Sequence, residues 1–156
     1  MGTIAIRREN KSRYERRAPI APEQMARAIK EYGVQFVVEP SSVRIFDDGE
    51  YANAGGTLSG TFDDAGIVMG VKEIPTRLLR QDQAYLYFSH TIKAQPYNMR
   101  MLQRLLDLKC TLLDYELIAN DSGQRLVFFG YHAGLAGMID TLWTVGRRLR
   151  LAGHDT

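Results

Sequence analysis

Apolar residues in this chain fall into short unbroken runs, and between those runs the apolar positions return at helical spacing. "TIAIR" opens the pattern as a short strand. In "APEQMARAIKEYG", Met25, Ala28, Ile29 and Tyr32 recur three and four residues apart, Pro22 stands in the first turn and Gly33 ends the run, so a helix is predicted. "VQFVVE" reads as the next strand. A Gly- and Asp-rich loop region follows through "SSVRIFDDGEYANAGGTLSG", with one short helix around Glu50 to Ala54. Then come the strand "GIVMGV", a helical turn near "TRLLRQ", the strand "AYLYFS", the helix "PYNMRMLQRLLDLK", the strand "CTLLDYE", a turn at "NDSGQ" and a strand "RLVFFG". The last segment, Gly130 to Gly153, reads as one long helix with Leu135, Ile139, Leu142 and Leu149 on a rough face.

Strands that are apolar throughout are strands covered on both faces. Strands separated by helices pair in parallel. The expected fold class is therefore α/β, an open, mainly parallel twisted sheet flanked by helices. The terminal helix carries Ala133, Gly134 and Gly137, small residues that let another backbone approach closely. We expect residues 1–156 to form one domain whose helix 130–153 leads to a second domain.

Composition narrows the chemistry only slightly. A chain of 156 residues with 45% hydrophobic content can bury a core without staples. The formal charge of +2 arises from 20 basic and 18 acidic residues scattered along the chain, with no long run of like charge, so neither a nucleic-acid partner nor a membrane surface is expected. No apolar stretch approaches the roughly 18 residues that span a bilayer. The single cysteine, Cys110, cannot form an intrachain disulfide and is expected as a buried strand residue, which fits a reducing compartment. A cytoplasmic location is expected, or the mitochondrial matrix for an animal source.

Two stretches that could hold ligands read as negative. "GYHAGLAG" follows an apolar run but spaces its glycines G-x-x-x-G-x-x-G, not the G-x-G-x-x-G that lets a backbone turn tightly against a pyrophosphate. His90, His132 and His154 are too dispersed for a metal site, and no paired-ligand spacing occurs.

What remains is a set of ionisable residues just past apolar runs, where open α/β sheets bind ligands. Lys72 and Glu73 follow "GIVMGV"; His90, Lys93 and Gln95 follow "AYLYFS"; Asp114 and Glu116 end "CTLLDYE". Lys72 and His90 are either the polar ends of two core strands or a pair that meets at one rim. An amine and an imidazole are suitable proton handlers near neutral pH. The loop "RRENKSRYERRAP", with six basic residues among thirteen, leaves the first strand at the same rim. It is either a solvated charged loop or a source of arginine for bidentate capture of a carboxylate.

Taken together, "RRENKSRYERRAPIAPE", "GVKEIP", "YFSHTIKAQPYNM", "LLDYELI" and "GQRLVFFGYHAGLAGMID" resemble the N-terminal domain of lysine-ketoglutarate reductase, the saccharopine-forming half of bifunctional aminoadipic semialdehyde synthase. More distantly, the chain is similar to lysine-forming saccharopine dehydrogenase and to the N-terminal domain of alanine dehydrogenase and proton-translocating transhydrogenase. The match runs from Ile4 to about Asp155. The resemblance implies a Rossmann-like or flavodoxin-like substrate domain, with NAD(P)(H) held mainly by a Rossmann domain absent from this chain. It puts the family's catalytic lysine and histidine on Lys72 and His90 and its substrate-carboxylate arginine on Arg17. Further substrate contacts are implied at Lys93, Gln95 and Arg125, and charge-tuning acids at Glu73, Glu116 and Glu15. The loop between Glu9 and Glu15 is one residue longer than in the alanine dehydrogenase and yeast-type patterns, which leaves no role assigned to Lys11.

The implied reaction joins lysine and 2-oxoglutarate to saccharopine by reductive amination, or reverses it, with Lys72 as base and His90 as acid. A homo-oligomer is compatible with this reading, and the isolated chain is expected to transfer no hydride. Alternatives are an alanine dehydrogenase or transhydrogenase-like domain, or a non-catalytic stand-alone binding module.

Overall fold

The computed structural model describes residues 2–154. Its elements run β1 (Thr3–Ile6), α1 (Pro22–Tyr32), β2 (Gln35–Val38), α2 (Asp48–Asn53), β3 (Thr57–Leu58), β4 (Ile67–Lys72), β5 (Ala84–Phe88), α3 (Pro96–Asp107), β6 (Thr111–Asp114) and α4 (Gly130–Leu151), with 3₁₀ turns at Thr76–Leu78 and Tyr115–Leu117. All strand pairs are parallel, in the order β3-β2-β1-β4-β5-β6. The carboxyl ends of the strands therefore share one edge. The chain winds outward from β1 to β3, then crosses back to β4, so the switch point lies between β1 and β4, where doubly wound sheets open a crevice for ligands.

The uniformly apolar strands are explained by two cores. On one face Ala5, Val68, Tyr85 and Tyr87 pack with Met101 and Leu105 of α3. On the other, Ile6, Phe36 and Val38 pack with Met25 of α1 and Tyr51 of α2. Strand β1 supplies residues to both, Ala5 to the first and Ile4 and Ile6 to the second, in the alternation of a strand. Helix α1 starts at Pro22, whose missing N–H costs nothing in a first turn, and stops at Gly33 (φ 64°), whose amide bonds the Ile29 carbonyl. Helix α2 is closed by a capping box between Asp47 and Glu50.

Three local expectations need correction. Residues 125–130, "RLVFFG", form no strand: the segment makes a single bridge, Ala119 to Arg125, and Leu126 and Phe128 are exposed. Apolar β-formers make a strand only when a neighbour accepts their ladder bonds and covers one face, and neither condition holds here. Cys110 is half-buried and precedes β6; its thiol donates to the Arg80 carbonyl (3.1 Å), and burial raises its pKa. Strand β3 was not anticipated, because its two residues are too few for a periodic signal.

The chain divides after Ile118 into two compact units. The second contains the turn in which Asn120 Oδ1 accepts from the amides of Ser122 and Gln124, followed by α4. No described side chain of α4 is buried, and Leu135, Ile139 and Leu142 are exposed. Among the described residues no helix is long and apolar enough to cross a membrane.

A candidate active site at the carboxyl rim of the sheet

Lys72 reaches the rim through a break in strand regularity. Met69 pairs with Leu86 and Lys72 with Phe88, so Gly70 and Val71 together stand opposite Tyr87. That is a bulge, one extra residue in β4. Unbroken alternation from Met69 would point Lys72 to the face of Tyr85 and Tyr87, in the core with α3. The extra residue reverses the phase beyond Val71, and Lys72 shares the face of Leu86 and Phe88 instead.

The bulge has a partner. Glu9, from the loop after β1, accepts the Val71 amide on Oε1 (2.6 Å) and the Lys72 amide on Oε2 (3.0 Å). In a regular strand successive amides point to opposite sides, so one carboxylate meets both only where the strand is bulged. Burial pushes the Glu9 carboxyl above its ordinary range, and the two amides act in the opposite direction.

His90 lies past β5 and has φ 54°, a left-handed conformation uncommon for residues other than glycine. Its neighbours hold it there. Ser89, fully buried, donates to Asp114 at the end of β6, its Oγ accepts the Thr91 amide (3.1 Å), and its carbonyl accepts from Asn98 Nδ2 in α3 (2.8 Å). The His90 ring stacks on Phe88 with 6.3 Å between centroids and 18° between planes. Nδ1 lies 3.5 Å from Glu116 Oε2, a buried carboxylate oxygen. Phe88 thus stands opposite Lys72 in the ladder and carries the His90 ring stacked on its own.

Charged residues surround this pair. Arg17 grips Glu15 through Nε (2.7 Å) and Nη2 (2.6 Å); these bonds hold the Glu15 carboxyl below its ordinary range and lift the Arg17 guanidinium. The positive charge of Lys72 also acts on Glu15 in the same direction. Lys11 pairs with Glu73 and lies over the Tyr97 ring (5.8 Å). Both line a cleft of about 500 Å³, with Asn98 and Arg100. Lys93 is an exposed loop residue, and Gln95 is the N-cap of α3, its carbonyl accepting the Asn98 amide (3.0 Å). Arg125 belongs to the second unit, where its guanidinium donates to the Val127 carbonyl (3.3 Å).

The structure thus sets Lys72 beside Glu15 and Arg17, and His90 beside Glu116, along the carboxyl rim of the sheet. Sequence reading missed Glu9 and the Ser89 and Asn98 bracing. Gly70 was a usable signal, since glycine inside an apolar strand marks a bulge. Nothing in sequence spacing links Ser89 with Asp114.

The β1–α1 connection, where doubly wound folds hold a pyrophosphate, spans residues 7–21, contains no glycine and carries Arg7, Glu9, Glu15 and Arg17 instead. Among the described residues no cluster could hold a metal ion.

An all-parallel, doubly wound sheet with ionisable side chains at its carboxyl rim defines the class, a doubly wound α/β domain. The alanine dehydrogenase/PNT N-terminal domain model matches residues 5–136, and the chain belongs to that family. It is 42% identical over 98% of its length to rat alpha-aminoadipic semialdehyde synthase, mitochondrial, and 34% identical over 86% to a Yarrowia lipolytica saccharopine dehydrogenase (NAD(+), L-lysine-forming). It spans 16% of the rat protein and 37% of the yeast one. An L-alanine dehydrogenase structure superposes with a TM-score of 0.64 at 24% identity, covering 78% of this chain and 34% of that one, a likeness of fold.

Proposed function

We propose that this domain is the substrate-handling part of an NAD(P)-dependent oxidoreductase of lysine metabolism that joins the side-chain amine of lysine to 2-oxoglutarate, or runs the reverse. The observation that carries the proposal is the placement of Lys72 opposite Phe88 in the ladder with the His90 ring stacked on Phe88, in a chain related to aminoadipic semialdehyde synthases over nearly its whole length.

Amine attack on the ketone gives a carbinolamine, and loss of water gives an imine. Each step needs one group that accepts a proton and one that donates it. Lys72 Nζ takes the proton from the attacking amine. His90 Nε2 donates to the oxygen that leaves as water, while Glu116 beside Nδ1 stabilises the imidazolium. Saccharopine bears three carboxylates, and Arg17, Lys93 and Arg125 are the proposed counter-charges, with Gln95 as a neutral contact. Glu15 keeps Arg17 oriented. Reduction of the imine needs a nicotinamide dinucleotide, for which the β1–α1 loop is unsuited, so a second domain is the proposed partner.

The test is dinucleotide oxidation by the longer polypeptide or complex that supplies the dinucleotide site. Oxidation of NAD(P)H that requires lysine and 2-oxoglutarate together supports the proposal. Oxidation with pyruvate and ammonia instead would move the domain to alanine dehydrogenase chemistry.

A further inference from the structure

We infer that Glu9 is the positioning residue that turns Lys72 to the face of Phe88 and His90. The inference rests on the proposed function for its kinetic consequence and on geometry alone for its structural one.

Past Ile6, β1 and β4 part: Arg7 N donates to the Met69 carbonyl (2.9 Å), and beyond that bond β1 has ended. The amides of Val71 and Lys72 need acceptors, and a bulged strand directs both toward one place. The Glu9 carboxylate supplies two oxygens there, at 2.6 and 3.0 Å. It reaches back across the gap that β1 leaves, and so substitutes for a missing stretch of ladder. Gly70 makes room for it, since a Cβ at that position would lie 3.2 Å from Glu9 Oε1 and 3.4 Å from the Lys72 carbonyl. The charged groups acting on Glu9 are Arg7, Glu15 and Arg17, and the Tyr115 hydroxyl feels its charge.

The alternative phase of β4 is costly for function in a specific way. Without the extra residue, Lys72 would enter the core face with Tyr85 and Tyr87 and be lost from the His90 rim. Glu9 touches the backbone of Lys72 and not its amine. It therefore acts on where the amine sits, without needing contact with substrate.

Glu9→Gln keeps the side chain's volume but leaves one oxygen and one NH₂, so one of the two amides faces a donor. In ¹⁵N–¹H spectra of the 156-residue chain, the Val71 and Lys72 amide protons should move upfield in this variant, while those of Ala5 and Val38 stay. In the longer protein or complex, kcat should fall about 10- to 100-fold with KM for both substrates within about threefold, since misplacing a reacting group acts on the chemical step. Gly70→Ala, which leaves every charge in place and crowds Oε1, should lower kcat in the same manner and serves if Glu9→Gln fails to fold. Unmoved Val71 and Lys72 amides, or folded variants with the original kcat, would overturn the inference. An unmodified protein that lacks the proposed activity overturns the proposed function, and the amide spectra then decide the role of Glu9 on their own.

Discussion

Lys72 pairs with Phe88 although the residue three before it, Met69, pairs with Leu86, two before Phe88. That one-residue difference puts the amine on the same face as the ring on which His90 stacks, 6.3 Å between centroids. A single irregularity thus aligns the phases of two parallel strand ends. The rest of the rim acts on these two groups: Glu9 through the Lys72 backbone, Glu116 through the His90 ring, and Ser89 through the loop that bears it.

Replacing His90 by Gln should lower kcat by about 10²- to 10⁴-fold, the usual contribution of a positioned proton donor. The imidazole is partly exposed but stacks on buried Phe88 and lies 3.5 Å from the buried Glu116 carboxylate, so the melting temperature should fall by a few degrees at most. Steady-state rates and calorimetry on the same preparation check both halves of this expectation.

Ser89→Ala should act on stability and on rate together. It removes the hydroxyl that joins Asp114, Thr91 and the His90 loop, leaving the buried Asp114 carboxylate short of a donor. The expected cost is about 1–3 kcal/mol by urea denaturation. Because Ser89 braces a left-handed His90, kcat should fall as well, with little change in KM.

Arg17→Ala should raise KM for 2-oxoglutarate or saccharopine by about 10-fold or more, the loss expected for a charge-assisted bond to a carboxylate. Glu15→Gln should raise it less, because the arginine remains but loses the carboxylate that orients it. Substrate titrations of the two variants give the order.

Two acids should bend the pH dependence of stability in opposite directions. Glu15 titrates below its ordinary value of 4.5 when folded, so its contribution is complete above 4.5 and is lost as pH falls through the lowered value. Glu9 titrates above 4.5 when folded, so the folded state binds the extra proton and stability declines as pH rises from 4.5 to the raised value. Denaturation midpoints across this range should lose the acid decline in Glu15→Gln and the decline above 4.5 in Glu9→Gln.

Much of this arrangement was legible in the sequence, for physical reasons that also mark where reading stopped. The runs around Val68 and Tyr85 read as strands because both their faces are covered, and the intervening helices required parallel pairing. Parallel strands bring their carboxyl ends to one edge, and that rule alone puts Lys72 and His90 at one rim. The bulge was not read, because alternation is invisible in a strand apolar throughout, and Gly70 was its only trace. "RLVFFG" was misread because its composition suits a strand while strand formation depends on a neighbour that it lacks. The Ser89–Asp114 bond spans residues 25 apart on different strands, a contact that only the sheet order creates.

The central claim is that Lys72 carries the proton in the condensation step, and replacing Lys72 by Ala tests it most directly. In the longer protein or complex, with lysine and 2-oxoglutarate saturating, the account predicts that kcat falls by about 10²-fold or more. Added ethylamine, which fits the space of the missing side chain, should restore part of the rate in proportion to its concentration. A Lys72→Ala protein that keeps kcat within about threefold of the original, with no response to ethylamine, would contradict the account.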